Sequence, residues 1–92
     1  MIKYTFLVKN IMKEVKIKMI PSFYLYVLTF RGAADRYGAF AEAVFHDHSF
    51  PKQADDFETL SLYIEQLAHD DINAVTFDDL WGMYEEKYLH EQ

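Results

Sequence analysis

His46-Asp47-His48 puts two imidazoles and a carboxylate into three consecutive residues, a group of potential metal ligands. A metal site needs three or four converging donors, and this tripeptide is a stub of one. His69 and His90 lie elsewhere, and cysteine is absent. The bland alternative is a loop in which Asp47 and His48 hydrogen-bond nearby backbone and hold Phe50 against the core. Added zinc that leaves the melting temperature unchanged would support the loop.

Four acidic pairs come next: Asp55-Asp56, Asp70-Asp71, Asp78-Asp79 and Glu85-Glu86. Neighbours at i and i+1 on a helix point to different faces, so these are not facing carboxylates for acid–base work. Asp55-Asp56 and Asp78-Asp79 fall at predicted helix starts, where negative charge is stabilising. A calcium loop from Asp71 fails, because it lacks the mid-loop glycine and reaches Gly82 where a glutamate is required. Ser22, Ser49 and Ser61 sit in no Gly-x-Ser-x-Gly elbow, and the three glycines are isolated, so no phosphate-cradling loop exists. Nothing here specifies an enzyme or a cofactor. Tyr24, Tyr26, Trp81, Tyr84 and Tyr88 resemble a base-stacking platform, but at helical spacing in a small domain they describe a core. Tyr24 is the exception. It lies off the Phe23 stripe, and with Leu25 and Leu28 it forms a candidate apolar patch for a protein partner.

These residues need a scaffold, and 92 residues suffice for one domain. With no disulfide available, stability must come from bulk, and eight Phe, seven Tyr and one Trp supply it. The periodicity predicts an all-α fold. Helix one runs over about 23–31, capped by Ser22, with Phe23, Tyr26, Val27 and Phe30 on one face and Gly32 at its end. Helix two begins at Asp35, carries Tyr37, Phe40, Ala41, Val44 and Phe45, and ends near His46 ahead of Phe50-Pro51. Helix three starts around Asp55-Asp56, with Phe57, Leu60, Ile64 and Leu67 on one stripe, and stops by His69 before a short turn through Asp71–Val75. Helix four is read as capped by Thr76 with Asp79 completing a capping box, and buries Phe77, Leu80, Trp81, Tyr84 and Tyr88.

Charge divides the chain unevenly. Residues 1–18 hold five Lys and one Glu, whereas residues 19–92 hold four basic and fourteen acidic side chains. So acidic a body repels a phosphate backbone, which makes nucleic acid a poor partner unless the basic segment serves as an arm. Residues 1–18 admit two readings. One is a weak β-hairpin or flexible basic arm, turning at Lys9-Asn10 without the favoured glycine. The other is a translated leader. Lys13-Glu14-Val15 can be encoded AAG-GAG-GTG, a strong ribosome-binding sequence correctly spaced from a start at Met19. No apolar run approaches the roughly 20 residues of a membrane-spanning helix, and a cytoplasmic location is expected.

One further feature is a resemblance. Ser22-Phe23-Tyr24-x-Tyr26 with Arg31, Phe40-Ala41, Asp47-His48-Ser49-Phe50-Pro51-Lys52, Ser61-x-Tyr63-x-Glu65 and Phe77-Asp78-x-x-Trp81-x-x-Tyr84 resemble the YozE family. The likeness covers about residues 20–89. It implies a sterile-alpha-motif-like, compact orthogonal bundle of four to five short helices, and it carries over no catalytic residues. The segment between Arg31 and Phe40 departs by being shorter and less polar than usual, and Phe45 and Phe57 stand where Tyr is frequent. The expected function is association with an unidentified protein partner. The expected surface is the Tyr24, Leu25 and Leu28 face or the loop bearing His46, Asp47, His48 and Lys52.

Overall fold

The computed structural model describes residues 20–89; the expectations for residues 1–18, leader, arm or hairpin, lie outside them. The described residues form helices and no strand: α1 (Phe23–Leu28), α2 (Arg36–His46), α3 (Phe57–Leu67) and α4 (Ala74–Tyr84), the last continuing as a π-helical turn over Glu85–Leu89.

Each start is fixed by a side-chain acceptor. Ser22 accepts from the Leu25 N–H, Asp35 from the Tyr37 and Gly38 N–H groups, and Asp56 from the Thr59 N–H. The fourth start differs from the sequence expectation. The cap is Asn73, whose side chain accepts from the Thr76 N–H, so the helix begins three residues early. Thr76 therefore lies inside the first turn and is buried, its hydroxyl accepting a hydrogen bond from Arg36. Asp78 and Asp79 are consequently past the first turn and take no part in a capping box. Asp79 instead joins α4 to α2, forming an ion pair with Arg36 and accepting from the Tyr37 hydroxyl.

Helix one is also shorter than its apolar stripe. After Leu28 the bonds tighten to i→i−3 spacing, from the Thr29, Phe30 and Arg31 N–H groups to the Tyr26, Val27 and Leu28 carbonyls. The Thr29 hydroxyl donates to the Tyr26 carbonyl as well, and Gly32, at φ +93°, reverses the chain. Gly38 has a separate role. A Cβ there would lie 1.9 Å from the Ala33 carbonyl oxygen, so the turn after α1 can press against the first turn of α2 only if Gly38 has no side chain. α3 ends on Ala68 in the left-handed region, and the His69 Nδ1 then accepts from the Asp71 N–H, shaping the short connection to α4.

One interior holds these pieces. Phe23 is fully buried and meets Phe77, Trp81 and Tyr84 with ring centres 5.4–5.6 Å apart. Such edge-on and tilted pairs add about 0.5–1.5 kcal/mol each beyond the area they bury. Phe40, Val44, Leu60, Ile64, Ile72 and Leu80 belong to the same core. Tyr84 is buried because its hydroxyl has somewhere to go: it donates to the Pro21 carbonyl at 2.7 Å. Tyr88 and Leu89 fold back on the same core through the widened final turn.

Candidate functional site

The first turn of α1 and the loop between α2 and α3 meet on one side of the molecule. Tyr24, half-buried, lies 6.0 Å from Phe50 in a tilted pair, and Phe50 in turn meets Tyr63 of α3 edge-on at 5.6 Å. Phe50 is buried, and as the residue before Pro51 it lies in the loop beyond the end of α2. The Tyr63 hydroxyl donates to Asp47 Oδ2 at 2.6 Å, while Asp47 Oδ1 accepts from the Ser49 N–H at 3.1 Å. Burial, reinforced by the Asp47 hydrogen bond and charge, pushes the Tyr63 hydroxyl up to about 12. Both Asp47 oxygens are thus occupied by protein donors, and the loop is latched to α3. Lys52 extends from the far side of the loop and sets its ammonium 5.6 Å over the Tyr24 ring.

Beside this lies a second group. Arg31 donates to both carboxylate oxygens of Glu42, at 3.0 and 3.2 Å, and its guanidinium rests 3.7 Å above the Phe45 ring. Glu42 also faces the His46 ring nitrogen at 3.0 Å, one helical turn on. The Arg31 hydrogen bonds, with the His46 contact second, hold the Glu42 carboxyl below its ordinary range. Between and beyond these groups Leu25 is 54% exposed and Phe45 40%.

Of the residues singled out from the sequence, Tyr24 and Lys52 are brought together, Phe50 joins them to Asp47, and His46 is drawn off to Glu42. Leu25 and Leu28 stay on the outer side of α1, exposed and half-buried. His48 is exposed and, unlike Asp47, makes no side-chain hydrogen bond among the described residues, so half of the backbone-bonding expectation for the loop is met. The two imidazoles do not converge, and among the described residues no three His, Asp or Glu side chains are placed to hold a metal. Arg31, Glu42, Phe45 and Tyr63 were not singled out as parts of this face. Glu42 and His46 carry a visible signal, their i, i+4 spacing, whereas the Tyr63–Asp47 bond spans sixteen residues and leaves none.

The architecture and the motif order now meet a direct comparison: the model described as the YozE SAM-like fold matches residues 22–86. The chain belongs to this family. It is 48% identical over 65 residues to a UPF0346 protein of Staphylococcus epidermidis, covering 71% of this chain and 88% of the relative. Against a UPF0346 protein of Staphylococcus saprophyticus the identity is 49%, and against one of Staphylococcus aureus 46%, each covering 71% of this chain and 89% of the relative. The family match begins at Ser22, the cap of α1, so the matched unit includes the Tyr24 face, the 46–53 loop and its Tyr63 latch. What defines the YozE family here is a helical fold, and its description names no reaction. No helix among the described residues is long and apolar enough to cross a membrane.

Proposed function

We propose that this chain is a non-catalytic association domain that binds a protein partner through the outer side of α1 and the adjoining 46–53 loop. The observation that carries the reading is the Tyr24–Phe50–Tyr63–Asp47 chain of contacts. It gives an exposed apolar helix face a rigid backing, and partners bind preorganised surfaces at lower entropic cost. Aromatic residues with a few placed polar groups suit such a face. The side chains around it bring together no nucleophile, base and orienting group of the kind catalysis needs.

Nucleic acid fits the charge poorly. Residues 20–89 carry thirteen carboxylates against four basic side chains, and Arg31 and Arg36 are already paired to Glu42 and Asp79.

A photo-reactive phenylalanine placed at Leu25 in cells, and separately at Val75 on the exposed side of α4, tests the proposal. The expected result is a discrete protein adduct from position 25 and none from 75. Adducts from 75 alone, or equal smears from both, would refute the assignment of the face.

A further inference from the structure

We infer that the segment seated on the Tyr24 face carries a carboxylate beside an aliphatic or aromatic anchor, and that Lys52 is the group that recognises the carboxylate. This rests on the association reading above and names the chemistry of the partner.

Covering this face also covers a charge. A partner lying on Tyr24 and Leu25 also covers the Lys52 ammonium, which sits 5.6 Å over the Tyr24 ring and forms no ion pair among the described residues. Removing an unpaired ammonium from water is costly, and a carboxylate in contact offsets that cost. Two carboxylates beside this face are already engaged. Glu42 is shared by Arg31 and His46, and Asp47 is taken by the Tyr63 hydroxyl and the Ser49 N–H. Asp55, three residues after Lys52, forms no ion pair with it, and a carboxylate on the partner supplies the charge the ammonium lacks.

Charge along the chain agrees. From Ile20 to Ala34 there is one Arg and no acidic residue, although residues 35–89 hold thirteen. An acidic segment laid along α1 meets no carboxylate of the helix itself, and Glu42 beside it is already paired with Arg31. A basic segment would meet Lys52 uncompensated and is drawn to the acidic remainder of the surface instead. The outer side of α4 makes the contrast. Val75 and Met83 are exposed there too, but Met83 lies among Asp78, Asp79 and Glu86, with Lys87 the one cation beside them.

The test pans a displayed library of short random peptides against the full chain, alongside Lys52→Glu, Lys87→Glu and Leu25→Ala variants shown to melt cooperatively. Lys87 is the matched control, since its ammonium lies 5.7 Å over the Tyr88 ring. The expected result is enrichment of peptides with Asp or Glu next to Leu, Ile, Phe or Trp. Binding of a synthetic peptide of that class should weaken about tenfold or more in Lys52→Glu and be unchanged in Lys87→Glu. Neutral or basic winners, no enrichment over an uncoated surface, or equal binding by Lys52→Glu would overturn the inference. If those same peptides are lost in Leu25→Ala, the association face survives and only its charge preference falls; if Leu25→Ala binds normally, both fall. A concentration-dependent dimer in sedimentation equilibrium, abolished by Leu25→Asp, would assign the face to a second copy and likewise overturn the inference.

Discussion

Two sides of one six-residue helix show how similar side chains come to opposite uses. The inner side of α1 presents Phe23, closed off completely by Phe77, Trp81 and Tyr84. Its outer side presents Tyr24 and Leu25, backed by Phe50 from one direction and open to water from the other. Both sides are rich in apolar surface. Only the inner one is surrounded, so the inner side supplies folding energy while the outer keeps its apolar area available. Bulk hydrophobicity cannot separate the two; the number of elements that converge on each does.

The comparison breaks most visibly at Phe23. Phe23→Ala should cost about 3–5 kcal/mol in urea unfolding, enough to leave a domain of this size marginal or unfolded. A loss below about 1 kcal/mol would mean the aromatic cluster is not the core.

The latch behind the outer side comes next. Tyr63→Phe removes the hydroxyl that meets Asp47, with an expected cost of about 1–2 kcal/mol. Its pH dependence sharpens the point. Folding raises the Tyr63 hydroxyl from its ordinary 10.0 to about 12, so the folded state favours the protonated form. The contribution is whole below pH 10 and is lost as pH rises from there towards about 12. Wild type should therefore lose more stability than Tyr63→Phe across that window, read as the difference between their denaturation midpoints.

A smaller effect has the opposite sign. Gly82 sits inside α4 with no atom within 4 Å of where a Cβ would be, so Gly82→Ala should raise stability by up to about 1 kcal/mol. Destabilisation on thermal melting would show that something crosses the helix there. The smallest change belongs to the outer side itself: Leu25→Ala should move the melting curve by no more than about 0.5 kcal/mol, because the side chain is mostly in water already.

The helix starts were legible where one acceptor stood alone, as with Ser22 and Asp35, and to within a residue at the Asp55-Asp56 pair, where Asp56 is the cap. At the fourth start the sequence reading took Thr76 as the cap, whereas the acceptor is Asn73, three residues earlier. The buried Ile72 and Thr76 decide between them, and that is a tertiary fact. The end of α1 was misplaced for a related reason: Phe30 keeps the helical phase although its backbone has tightened into a turn. Tyr24 and the 46–53 loop were each conspicuous in the sequence, one by breaking a stripe and the other by its composition. Their meeting was not, because it depends on Phe50 packing between Tyr24 and Tyr63 and on Tyr63 reaching back to Asp47.

The bond from the Tyr84 hydroxyl to the Pro21 carbonyl reaches across sixty-three residues and sets the beginning of the bundle against the close of its last long helix. Ile20 and Leu89, the first and last described residues, line one hollow around that bond. The unit is thus shaped like a plug, one that can be spliced into a surface loop of a host protein without prying the two host ends apart.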